Sequence, residues 1–144
     1  MRHKAPLILM EQTVMLLVFA LAAAVCVRAF VLSDNLSKTN AARDAAVLRA
    51  ESAAEIYKNC RGSGRAAAAC YGGSVRGGVW TIYWDGAWKQ LKTADGAAYR
   101  LRIRPQTSEY PQMGSAEVRL VCMGKGRGQL ISFPLAWQEA DGDE

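Results

Sequence analysis

The sequence predicts an α+β protein: a long N-terminal membrane-spanning helix packed on a small antiparallel β-sheet of four to five strands. Three observations carry this expectation. Residues 7–32 are apolar except for Glu11 and Arg28. An alanine-rich, helix-favouring stretch follows, with no proline or glycine up to residue 59. From about residue 79 the hydrophobic period changes to two, with aromatic and β-branched residues alternating with basic ones.

Residues 1–6, Met1-Arg2-His3-Lys4-Ala5-Pro6, form a short basic leader. As a helix, residues 7–27 would extend about 31 Å, which matches the hydrocarbon core of a bilayer. The apolar run is longer than a signal-peptide core. Ala-Ala-Val-Cys26 also has valine where lipoprotein cleavage needs a small residue. A retained transmembrane segment over 7–32 is therefore expected. Arg2 and Lys4 flank one end, and Arg28, Lys38 and Arg43 the other, so the positive-inside rule nearly balances. The short leader and the cysteines favour an extracytoplasmic C-terminal domain. Residues 33–59 continue as an amphipathic extension in which Leu36, Val47, Ala50, Ala54 and Tyr57 keep a helical stripe. Small alanines on that stripe would let a sheet approach closely. Ser33-Asp34-Asn35 compete with helical hydrogen bonds, so two helices hinged there are the alternative arrangement.

Residues 60–78 read as a glycine- and alanine-rich loop bracketed by Cys60 and Cys70. Their spacing is easily bridged, and in an oxidising compartment a disulfide would contribute about 2–3 kcal/mol. Cys122 shares strand parity with Val118 and Leu120, as a buried free thiol would, while a bridge from it to Cys60 or Cys70 stays open. Cys26 is a small apolar residue of the membrane segment. The sheet domain occupies 79–138. Residues 79–84 and 87–92 form a hairpin around Asp85-Gly86, and Asp95-Gly96 marks a second turn. Residues 98–104 alternate Tyr99, Leu101 and Ile103 with Arg100, Arg102 and Arg104, and residues 105–114 are a loop. Residues 116–123 pair with 129–137 around Gly124-Lys-Gly-Arg-Gly128, and Pro134 marks an edge or a bulge. Trp80 and Trp84 share one face and Tyr83 takes the other. Residues 139–144, with four acids and no base, are a solvated acidic tail.

The formal charge of +5 is unevenly spread: residues 60–138 hold eleven Lys or Arg against four acids. His3 is the only histidine, and no phosphate-binding loop, dinucleotide fingerprint, metal-ligand spacing or paired carboxylates are present. No catalytic residue, cofactor or metal is expected. Arg100, Arg102 and Arg104 lie at two-residue spacing on one strand face, with Arg119 on a neighbouring strand. Such a row suits a polyanion (nucleic acid, anionic wall polymer or lipid head groups), or else it is a solvated face balanced by Glu117 and the acidic tail.

Glu11 stands apart. An acidic residue at mid-membrane costs roughly 2.5 to 3.5 kcal/mol, so it is either interfacial, beside Gln12 and Thr13 in an ordinary anchor, or paired with a partner's charge. A short basic leader, an apolar helix with glutamate near its start, an amphipathic extension and a cysteine-bearing antiparallel sheet together resemble the type IV pilin and pseudopilin family. In that family a prepilin peptidase removes the leader, and a glutamate at the fifth mature position neutralises a neighbouring subunit's terminal amine. The resemblance implies that Leu7 is the first mature residue, Met1–Pro6 the leader and Glu11 the assembly residue. Pro6 stands where the family carries glycine or alanine, and Leu7 where it carries phenylalanine or methionine. Arg28 lies near the usual position of a kinking proline. The resemblance spans the whole chain in layout and rests on one specific residue, Glu11. It implies a minor subunit of a type IV pilus, competence or type II secretion filament, with the membrane and other pilin-like subunits as partners. The alternative is a stand-alone membrane-anchored module contacting an envelope partner or a polyanion.

Overall fold

Pro6 falls in the first turn, where proline is tolerated, and no proline or glycine follows up to residue 59, so the chain runs as one helix, α1, over Lys4–Asn59. The computed structural model describes residues 4–124 and 128–139, with side chains from residue 7 onward. Most of the leader, part of the 124–128 turn and the acidic tail from residue 140 lie outside the described residues. Ser33, Asp34 and Asn35 are helical, so the hinged alternative is not adopted. Two contacts run along the helix here: Lys38 pairs with Asp34 one turn away at 2.6 Å, and Thr39 Oγ1 donates to the Asn35 carbonyl at 2.9 Å.

The chain divides into two compact units, Met1–Ala42 and Arg43–Glu144. In the first, the side chains of residues 7–32 are exposed, and an 18-residue window reaches a mean hydropathy of 2.6. By length and composition this helix can cross a membrane.

In the second unit, α1 lays small residues on a sheet. Ala46, Ala50, Ala53, Ala54 and Tyr57 are buried and Val47 is half-buried. Leu36, expected on the same stripe, is exposed. The contact is thus carried chiefly by alanines and one tyrosine, with Ile56 half-buried against the same core.

The segment read as a loop is ordered. Ser63 caps a helix, α2 (Gly64–Tyr71), its hydroxyl accepting from the Ala66 amide at 3.3 Å. Strand β1 (Ser74–Arg76) follows and pairs with β2 (Val79–Trp84) through the two-residue turn Gly77-Gly78, both at positive φ. That conformation suits the strand twist and is costly for residues with a side chain. The other strands are β3 (Gln90–Leu91), β4 (Tyr99–Gln106), β5 (Met113–Cys122) and β6 (Gly128–Gln138). All pair antiparallel in the order β1-β2-β4-β5-β6, with β3 also on β2. The sheet therefore has six strands, more than the four to five expected.

Two local expectations are corrected. The Asp85-Gly86 hairpin is real but has a five-residue loop, because Asp85 Oδ1 accepts from the Ala87 and Lys89 amides, both at 2.9 Å. Trp88 thereby leaves the strand at φ 62° and stacks on Tyr99, with centroids 3.9 Å apart. Pro105 does not begin a loop: β4 continues through it, opposite Ala116. It lies past the end of the β2 pairing, so no ladder bond from its nitrogen is lost on that side. Pro134 falls on the edge strand β6, as expected.

The core consists of cross-strand rows facing α1. Trp80, Ile103, Val118 and Phe133 form one row; Ile82, Leu101, Leu120 and Ile131 form the next. Tyr57 of α1 stacks on Trp80 at 6.2 Å and meets Trp137 edge-on at 5.5 Å. Trp137 lies so close over Gly114 and Gly62 that a side chain at either would overlap its indole.

Candidate functional site

The opposite face of the sheet gathers the arginines. The register places Arg102 directly across from Arg119, and Arg104 directly across from Glu117. Arg100 lies between Tyr83 on β2 and Val121 on β5. All four candidate arginines, Arg100, Arg102, Arg104 and Arg119, thus share one face; the two-residue period predicted this for the three on β4, and the register adds Arg119. Arg100 and Arg102 are half-buried, and Arg104 and Arg119 are exposed.

Glu117 is the carboxylate embedded in this row. It accepts from Arg119 Nη2 at 2.7 Å and from Ser132 Oγ at 3.3 Å. The Arg119 hydrogen bond holds its carboxyl below the ordinary range. Partial desolvation opposes that shift, and the charge of Arg119, the Ser132 hydroxyl and the charge of Arg104 reinforce it. Glu117 is therefore ionised at neutral pH and is committed chiefly to Arg119. Among the described residues Arg100, Arg102 and Arg104 make no ion pair within 4 Å, and the Nε of Arg100 is enclosed without a hydrogen-bond partner. A small hollow of about 80 Å³ is lined by Arg102, Arg104, Glu117 and Arg119. Charges of one sign directly opposed across strands destabilise a sheet, which makes the Arg102–Arg119 pairing a cost the fold carries.

The second candidate lies in the other unit. Glu11 and Leu7 are exposed on the first turns of α1, Leu7 at 67%. Beside them, Thr13 Oγ1 donates back to the Leu9 carbonyl at 2.8 Å, which keeps that hydroxyl satisfied inside an apolar surface.

The cysteines correct an expectation. Cys60, Cys70, Cys26 and Cys122 are all free thiols. Cys60, just past α1, is half-buried, and its thiol is pushed up by desolvation and then by the neighbouring Cys70 thiol. The Cys60–Cys70 bridge is not formed. The nine residues between them, read as loop, include most of the Ser63-capped helix α2, which carries Cys70 exposed on its last turn. Cys122 lies opposite Tyr99 and is half-buried, in the parity expected of it.

Sequence reasoning located the arginines by period but not their pairing. The Arg102–Arg119 and Arg104–Glu117 oppositions depend on the β4–β5 register. That register involves Pro105 and Gln106, two residues read as loop. In comparisons with known proteins, no family model, no curated protein and no solved structure matches this chain.

Proposed function

We propose that the chain is a pilin-like, single-pass membrane protein, a minor subunit of a type IV pilus, competence or type II secretion filament. The observation that carries this reading is α1 itself. One uninterrupted helix has an exposed apolar stretch with Glu11 in its first turns, and further along it contributes an alanine face to an antiparallel sheet. An exposed stretch of that hydropathy needs lipid or other apolar helices around it, and a carboxylate inside it needs a cation. Neighbouring copies would supply both. Before assembly the segment anchors the protein with the sheet domain on the extracytoplasmic side.

Two differently tagged full-length copies, co-expressed with a prepilin peptidase, provide the test. Each tag should capture the other from membranes, and intact mass should show the loss of residues 1–6. Recovery of each tag alone would overturn the assembly reading. Capture with an unshortened chain would overturn only the processing step.

The free charge on the sheet supports a second reading, in which the domain also contacts an extended polyanion. Four guanidiniums face one committed carboxylate. Retention on heparin should weaken steeply with salt, with a log–log slope that falls by about one for each arginine replaced by glutamine. Retention insensitive to salt would rule out an electrostatic contact.

A further inference from the structure

The apolar segment contains a second charge for which that assembly reading has no role. Residues 7–32 hold one carboxylate, Glu11, and one guanidinium, Arg28, both exposed and both on α1. Arg28 follows Glu11 by 17 positions, which on an α-helix is an axial rise of about 26 Å and a rotation of roughly 100° between the two side chains. The two charges of one chain are therefore too far apart, and on too different a bearing, to pair with each other.

From this spacing we infer that Glu11 of one copy pairs with Arg28 of a second copy whose helix is parallel and shifted axially by about 26 Å. The inference rests on the proposed assembly through N-terminal helices and names the contact that fixes its stagger. Three considerations support it. Side-by-side helices in register would bring Glu11 level with Glu11 and Arg28 level with Arg28, like charges at one depth that apolar surroundings penalise. The shift replaces both repulsions with one attraction. Because the two side chains point about 100° apart, each copy offers its carboxylate to one neighbour and its guanidinium to another. Such a head-to-tail contact does not close on itself as a dimer would and propagates along an axis. Finally, Arg28 is a side-chain cation, so the pairing requires no cut before Leu7.

The geometry also explains how both charges are tolerated before assembly. In a bilayer about 30 Å thick, a rise of about 26 Å places the two near opposite head-group layers, where each stays hydrated. Withdrawal from the bilayer would exchange that hydration for the neighbour's opposite charge.

Charge exchange between tagged full-length copies is the test. Glu11→Arg and Arg28→Glu should each reduce mutual capture by about thirtyfold or more, as expected for breaking a desolvated pair. The chain carrying both changes should recover most of it. Membrane fractionation shows that each variant has inserted. Single losses without recovery in the double variant would overturn the pairing while leaving helix-driven assembly intact; failure of the native copies to capture one another would overturn the assembly reading itself. Cross-linking offers a measurement that leaves both charges in place. In a Cys26→Ala background, Met15→Cys on one copy should oxidise to Leu32→Cys on the other, one turn beyond the proposed contact. Efficient cross-linking of Met15→Cys to itself would mean unshifted neighbours and would also overturn the pairing.

Discussion

Replacing Glu11 with alanine should abolish mutual capture of tagged copies while leaving membrane insertion intact or improved. The two effects run in opposite directions for a physical reason. Within the bilayer the carboxylate is a liability of roughly 2.5 to 3.5 kcal/mol if it is drawn toward the centre, so its removal favours insertion. Within an assembly the same carboxylate is the counter-charge of a cation. Truncating one partner of a desolvated pair typically costs about 3–5 kcal/mol, because the other charge is stranded. An ordinary interfacial glutamate would give the first effect without the second. Glu11→Gln sharpens the comparison, since it keeps the shape and the hydrogen-bonding oxygen and removes only the charge. Both readouts come from one preparation: membrane fractionation for insertion and tag capture for assembly. Unchanged capture by the alanine variant would refute the paired-carboxylate role.

Trp80→Ala should destabilise the sheet domain by about 3–5 kcal/mol, enough to unfold much of it at ordinary temperature if its total stability lies near the lower end of the usual range. Trp80 is fully buried, stacks on Tyr57 and meets Tyr71 edge-on at 6.4 Å. It therefore joins α1, α2 and the sheet through one side chain. Its Nε1–H also donates to the Gly72 carbonyl at 2.9 Å, at the point where α2 ends. Trp80→Phe separates these contributions. Phenylalanine keeps much of the stacking surface but leaves the Gly72 carbonyl without this donor, a loss of about 1–3 kcal/mol. Urea unfolding of the full chain in detergent, followed by circular dichroism, should rank the alanine variant below the phenylalanine variant and both below the native protein. Equal midpoints for native and alanine forms would show that the helix–sheet contact does not depend on this residue.

Much of this architecture was legible in the sequence because its signals are periodic. The apolar run and the absence of proline or glycine up to residue 59 predicted α1. The alternation around Leu101 and Ile103 assigned the arginines to the opposite face, and the same parity put Trp80 and Trp84 on one face and Tyr83 on the other, though not which of the two is buried. What was missed depends on single residues whose effect is conformational. Gly77-Gly78 is a two-residue hairpin turn by composition, yet so many glycines surround it that the segment reads as unstructured. Ser63 signals a cap only once the following alanines are recognised as helical. Trp88 has strong strand propensity, but Asp85 captures two amides of the loop and turns it out of the strand. Pro105 looks like a strand end and is tolerated because β4 has outrun β2 at that point. The candidate sites follow the same division. Glu11, Arg28 and the arginine row could be picked out by eye, whereas the commitment of Glu117 to Arg119 and the cross-strand opposition of Arg102 and Arg119 needed the register.

The borders of the sheet limit how copies of this protein can join. One border is made of two strands of three and two residues that share the outer side of β2, too short to template a long added strand. The other, β6, spans 11 residues, but Pro134 removes a donor in its middle and the register slips beside Leu120. Neither border invites another chain to extend the ladder. Growth by strand addition is therefore discouraged at both ends of the sheet, and any polymer of this protein would be joined through side-chain surfaces and not through a shared ladder.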